Sequence, residues 1–160
     1  MDINIRPAVP EDCFRIRPLQ QEIVELHHQG RPDLVRDEAR FFTGETFLKR
    51  LEDPNHTVLI AETAEGEVVG YVFGWVISVR NHPTYVDFDS FYIDDICIFK
   101  AYQRNGIGQK LLGICKAKAK ELGCKNLELG VWSFNRDAIA FYENCGMKER
   151  TRRMELDLEE

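Results

Sequence analysis

The chain has 160 residues, 44% hydrophobic and 30% charged, with 27 Asp and Glu against 21 Lys and Arg and a formal net charge of -6. That length fits a single domain over residues 1–160, big enough for a core that needs neither metal nor disulfide. The composition excludes a disordered or fibrous chain, and no apolar run approaches the ~18 residues of a membrane span.

The opening Met1-Asp2-Ile3-Asn4-Ile5-Arg6 has neither a basic n-region nor a long apolar stretch, so a cytoplasmic protein is expected, with no membrane partner. The acidic balance argues against a nucleic-acid partner, which calls for a basic face. Five cysteines (Cys13, Cys97, Cys115, Cys124, Cys145) form no CxxC pair, and His27, His28, His56 and His82 lack zinc spacing to them, so no metal is expected.

In chain order, Ile3 and Ile5 alternate with polar neighbours as a short strand. Pro10-Glu11-Asp12 opens a helix with Ile16, Leu19, Ile23 and Leu26 at helical spacing; Pro18 must kink or restart it, and Gly30 ends it. His27-His28 near that end suits contact with the last carbonyls. Residues 29–42 read as a loop. Thr43 can cap a short helix bearing Phe47, Leu48 and Leu51. Thr57–Glu62 and Val68–Val79 read as strands of a hairpin turning at Glu65-Gly66-Glu67, and a third long strand runs from Tyr85 to Phe99. A helix follows from Gly106 to Leu122, with Ile107, Leu111, Leu112, Ile114 and Cys115 on its apolar side and Gly123 as its stop. Asn126–Trp132 alternates as a strand, Asp137–Asn144 as a helix, and Met154, Leu156 and Leu158 mark a last strand. The order predicts one α/β domain, antiparallel in its first half and βαβαβ in its second.

Charge is distributed unevenly. Between Arg80 and Lys100 lie Asp87, Asp89, Asp94 and Asp95 and no Lys or Arg; from Lys100 to Lys125 seven Lys and Arg face Glu121 alone. The strand Ile93–Phe99 runs into Lys100-Ala101-Tyr102-Gln103-Arg104-Asn105-Gly106-Ile107-Gly108 and then the basic helix. Glycines at a strand-to-helix turn let backbone N–H groups approach an anion, and the helix N-terminus adds about half a positive charge. A Rossmann fingerprint would need glycine where Leu111 stands, and nothing supplies a P-loop.

Gln103-Arg104-Asn105-Gly106-Ile107-Gly108 resembles the [QR]-x-x-G-x-[GA] signature of the GNAT superfamily of acyl-CoA N-acyltransferases. About 27 residues later, Asn135-Arg136-Asp137-Ala138-Ile139-Ala140-Phe141-Tyr142-Glu143 resembles its second signature, N-x-x-A-x-x-F-Y-E. The Gly-aromatic pair that follows in the family is here Gly146-Met147, and Ile5-Arg6-Pro7-Ala8 with Asp12 is similar to its first strand and turn. The resemblance implies a mixed central sheet, with an antiparallel N-terminal half, splayed parallel strands forming a cofactor wedge, and about four flanking helices. It implies acetyl-CoA as co-substrate: its pantetheine arm would add along the edge of Ile96, Cys97 and Ile98, and its pyrophosphate would rest on N–H groups from Arg104 to Gln109. Gly106 and Gly108 would let that backbone come close, and Asn135 would make a polar contact across the wedge. A homodimer is a family habit.

The same resemblance implies the chemistry. A small amine with a pKa near ~10.4 must lose a proton, and Asp94 or Asp95 beside the thioester can take it. Adjacent strand residues face opposite sides unless a bulge intervenes, so one of the two enters the cleft; spacing like that of polyamine-type enzymes favours Asp94. The N–H of Ile98 is placed to stabilise an oxyanion, and Tyr142 matches the family's general-acid tyrosine. Cys97 is expected to be a buried hydrophobe. The acceptor is expected to be a small cationic amine; a protein lysine or N-terminus, or a non-catalytic acyl-CoA sensor, are the alternatives. Specificity is expected from residues 29–42 and 80–91; Trp75, Trp132 and Tyr85 are candidate pocket aromatics, but core aromatics are the favoured reading of them.

Overall fold

The computed structural model describes residues 1–159, which divide into two compact units, Met1–Gly130 and Val131 onward. The first unit carries a five-stranded sheet in the order β1-β2-β3-β4-β5. β1 (Ile3–Pro7), β2 (His56–Thr63), β3 (Val68–Val79) and β4 (Phe88–Ile98) pair antiparallel, and β5 (Asn126–Leu129) adds parallel to β4. The expected mixed sheet, with an antiparallel first half, is therefore present.

The first helix breaks before the proline: α1 (Asp12–Arg15) ends at Ile16, and α2 (Arg17–Gly30) restarts with Pro18 in its first turn, where a missing N–H costs nothing. Thr43 caps α3 (Gly44–Glu52), its Oγ1 accepting from the Thr46 N–H at 3.2 Å. α4 (Ile107–Glu121) is followed by Gly123 at φ +74°. One face of the sheet takes a core of Cys13, Ile16, Leu19, Phe47, Val58, Ile60, Tyr71, Phe73 and Cys97. The alternate residues Leu59, Val72, Phe91 and Ile93 are buried too, and α4, with Ile107, Leu111, Leu112 and Cys115 buried, packs on β2, β3 and β4. Ile114, expected among them, is 40% exposed.

Asp12 is sealed at the foot of this core and fully paired. Arg6 donates to its two oxygens at 2.7 and 3.1 Å, Arg15 at 2.9 Å and the Val9 N–H at 2.8 Å. Arg6 also binds Glu62 at 3.0 and 2.9 Å. A buried carboxylate demands such satisfaction, and here it ties β1 to the first helical turn.

Three expectations are corrected. The third strand begins at Phe88, with Tyr85 and Val86 exposed before it, because Asp87 accepts from the Asn81 N–H at 2.9 Å and closes a loop there. β5 stops at Leu129, the last residue that pairs with β4. In the second unit, α5 (Arg136–Asn144) is present, but the expected last strand is not: Met154, Leu156 and Leu158 lie 82–85% exposed in a segment without strand pairing. No helix among the described residues is long and apolar enough to cross a membrane.

The register of β3 on β4 shifts between Phe73 and Gly74: Phe73 faces Asp95 and Gly74 faces Ile93, leaving Asp94 as the extra residue of a bulge. A Cβ on Gly74 would stand 2.6 Å from the Phe91 ring and 3.1 Å from the Tyr92 carbonyl oxygen. Gly74→Ala is therefore expected to lower stability by about 1–3 kcal/mol, read as a lower urea midpoint with an unchanged slope.

Candidate active site

Two features of β4 build the site. The first is an open edge. β4 pairs with β5 only from Ser90 to Ile93, then runs on through Asp94–Ile98 with β3 on one side and, among the described residues, no strand paired on the other. The Phe99 N–H donates to Val69 O at 3.0 Å, so Phe99, and by alternation Cys97, turn their backbone groups toward β3. Ile96 and Ile98 turn theirs toward the open side. Of the three expected edge residues, these two have backbone groups on that side, the Ile96 N–H also hydrogen-bonding toward the Asp95 carboxylate. Cys97 instead packs inside, its thiol against Leu19 O at 3.5 Å, and burial pushes that thiol well above its ordinary pKa. It is a small buried side chain, as expected.

The second feature is the turn after the strand. Arg104 (φ +64°) and Gly106 (φ +77°) both adopt the left-handed conformation. A Cβ on Gly106 would meet nothing, so its need for glycine within the protein is one of backbone angle. Gln103 Nε2 donates to Ile98 O at 3.0 Å, and Asn105 Nδ2 donates to Tyr102 O at 3.1 Å and Gln103 O at 3.2 Å, so both side chains brace the turn. Gly106 caps α4 without any side-chain acceptor, which leaves the first amides of the helix, Ile107, Gly108 and Gln109, without a side-chain cap. Strand edge and helix N-terminus thus present backbone donors within one short stretch, a fit for an extended amide-bearing arm ending in an anion.

The bulge gives the two aspartates different surroundings. Asp95 faces Phe73 on the face of Tyr71, and Asp94 is exposed beside it. Tyr71 Oη donates to Asp95 Oδ2 at 2.6 Å. Burial, helped by the charge of Asp94 and opposed by the Tyr71 hydrogen bond, pushes Asp95 up to about 6, and burial with the Asp95 charge holds the Tyr71 phenol protonated. Asp94, 38% exposed, is the more accessible carboxylate.

Aromatic rings surround the pair. Trp75 packs edge-on to Tyr92 at 5.3 Å and stacks on His56 at 5.4 Å, and Phe73 meets Tyr71 at 5.3 Å and Phe42 at 5.7 Å. Tyr85 sits against His82 in the exposed loop. Arg50 of α3 and Glu128 of β5, the latter accepting from Ser90 Oγ at 2.6 Å, were not singled out from sequence. Glu128 had a signal: it is out of phase with apolar Leu127 and Leu129. Arg50 had none, because its place depends on how α3 packs.

In the second unit, Asn135 caps α5, its Oδ1 accepting from the Ala138 N–H at 3.2 Å, and half-buried Tyr142 lies edge-on to Phe141 at 5.2 Å. No cluster of potential metal ligands exists among the described residues.

The raised value of Asp95 sets a sign. Between its ordinary 3.8 and about 6, the native state holds a proton the unfolded chain releases, so this group makes stability fall as pH rises through that window. Asp95→Asn removes that contribution. Its stability relative to the parent is expected to climb from pH 4 to pH 6 by up to about 1.4 kcal/mol per unit, then level off, in urea titrations at each pH.

Comparison with known proteins agrees with this geometry. Residues 18–147 match the Acetyltransferase (GNAT) family. The chain is 33% identical over 143 residues to L-ornithine N5-acetyltransferase NATA1 of Arabidopsis thaliana, covering 89% of this chain but 60% of that protein. It is 28% identical over 152 residues to thialysine N-epsilon-acetyltransferase of Bos taurus, covering 93% and 86%. A crystal structure of a mutant BH1408 protein from Bacillus halodurans superposes with a TM-score of 0.92 at 26% identity, covering 97% and 99%. With the family signature on the turn that the open edge leads into, the chain belongs to the GNAT family of acetyltransferases and is an acyltransferase enzyme.

Proposed function

We propose that the chain is an acetyl-CoA-dependent N-acetyltransferase acting on a primary amine of a small cationic molecule, by direct transfer with both substrates bound. The observation that supports this most is the run along one strand: Asp94 and Asp95 at a bulge, followed at once by the open amides of Ile96 and Ile98. Relatives named for ornithine and thialysine acetylation point to the same kind of acceptor.

Acetyl-CoA supplies an activated acetyl thioester. The chain's own groups do the rest. The main chain of Ile96 and Ile98 receives the pantetheine amides as a further strand, and N–H groups from Arg104 to Gln109 receive the diphosphate. Asp94, accessible and backed by the rings of Trp75 and Tyr92, attracts the ammonium and accepts its proton; the aromatic faces favour a cation as well. Asp95, near 6, stays mostly ionised at neutral pH and keeps the locality negative. The Ile98 N–H is a donor for the carbonyl oxygen under attack. Tyr142, by its place in the second signature, is the proposed donor of the proton that the departing thiolate needs. Holding both reactants together contributes through proximity.

The test is a panel of amines with acetyl-CoA and thiol detection. Turnover of small diamines and diamino acids is expected, weakening as salt screens the acids. Asp94→Asn is expected to lower kcat/KM about 10²–10⁴-fold while CoA still binds. Tyr142→Phe is expected to lower kcat at neutral pH with the KM for acetyl-CoA little changed. Absence of turnover across the panel, with CoA bound, would contradict the reading and favour a sensor.

A further inference from the structure

Arg50 has no task in this scheme, and its surroundings are unusual. Its guanidinium carbon lies 4.5 Å from the ring centre of Phe42, 5.4 Å from that of Phe73 and 5.7 Å from that of Trp75. A planar cation held against three rings has a fixed plane, so its N–H bonds have fixed directions. Its Nη1 is shut off from solvent but makes no hydrogen bond. Asp94 Oδ2 lies 4.0 Å away, close enough for attraction and too far for a hydrogen bond.

Arg6, in the same unit, shows what a structural arginine looks like here: four side-chain hydrogen bonds of 2.7–3.1 Å to Asp12 and Glu62. A solvated arginine would give its donors to water. At Arg50 the buried Nη1 has no protein acceptor, while the side chain as a whole is still 24% exposed. It is a forked cation beside Asp94, with one donor that no protein group satisfies. A carboxylate matches that fork in shape and charge.

We infer that Arg50 receives a carboxylate of the acceptor, beside the amine drawn to Asp94, and so selects amino acids over bare polyamines; this rests on the acetyltransferase reading above. The arrangement also gives Arg50 a second effect. Its charge weakens the pull of Asp94 on a molecule that carries only ammonium groups, whereas a carboxylate on the guanidinium neutralises it. One residue thereby favours the amino acid and disfavours its decarboxylated counterpart.

Paired acceptors test this: ornithine against putrescine and lysine against cadaverine, each with acetyl-CoA, in steady-state kinetics. The unaltered protein is expected to show kcat/KM at least about tenfold higher for the amino acid of each pair. Arg50→Gln is expected to cut that ratio at least about tenfold, mainly through a higher KM for the amino acid, and Arg50→Lys, which keeps charge but not the fork, to give an intermediate ratio. A preference of the unaltered protein for the diamines overturns the inference even if no variant folds. So does a ratio that Arg50→Gln leaves unchanged, which would make the residue structural. No turnover of any of the four amines would instead overturn the acetyltransferase reading, and this inference with it.

Discussion

A β-strand has hydrogen-bonding groups on two sides, and β4 finds a partner for only one of them beyond Ile93. Everything in the proposed chemistry depends on that imbalance. An unpaired edge normally invites unwanted pairing, and proteins keep such edges short or covered. Here the free stretch spans Asp94–Ile98 and ends in a turn whose Gln103 already occupies the Ile98 carbonyl. The turn delivers the chain into α4 with Gly106 at the cap, so the next backbone donors also lack side-chain partners. Two deficits of hydrogen bonding, one from a sheet edge and one from a helix end, fall in one stretch. A ligand combining an extended amide chain with a diphosphate relieves both.

The same strand also carries the charge. Because the bulge inserts Asp94, the two consecutive carboxylates sit together beside Phe73, where strict alternation would separate them. Gly74 permits this by leaving room for Phe91 on the opposite face. The outcome is a division between an accessible acid and a half-buried one. Asp95 pays in desolvation for its place against Tyr71, and its affinity for a proton rises accordingly. Cys97 and Cys115, both buried, are pushed the other way from reactivity, Cys115 up to about 12, consistent with transfer that needs no thiol nucleophile.

Local chemistry was legible in the sequence wherever a single residue type forces a backbone state. Pro18 marked the helix break, Thr43 a cap, and Gly66, Gly106 and Gly123 left-handed turns, all at the expected places. The bounds of β2 and β3 fall within one residue of the expected ones, and β4 starts three residues later than expected. What stayed hidden depends on distant partners. The bulge needs the register of β3 against β4; the length of β5 needs the point where β4 leaves it; the seat of Arg50 needs α3 laid over Phe73 and Trp75. The alternating Met154, Leu156 and Leu158 had the pattern of a strand, but a pattern pairs only where an edge is offered, and within its own unit none is. The signature residues told a similar story: the glycines carried information about backbone shape, while Gln103 and Asn105 proved to brace the turn.

Residue-resolved amide hydrogen exchange, with and without saturating coenzyme A, tests the central claim most directly. The account predicts slower exchange on binding at Ile96, Ile98, Ile107, Gly108 and Gln109, with Cys97 and Phe99, already turned toward β3, unaffected. Coenzyme A that binds without changing exchange at Ile96 and Ile98, or that protects Cys97 and Phe99 instead, would contradict it.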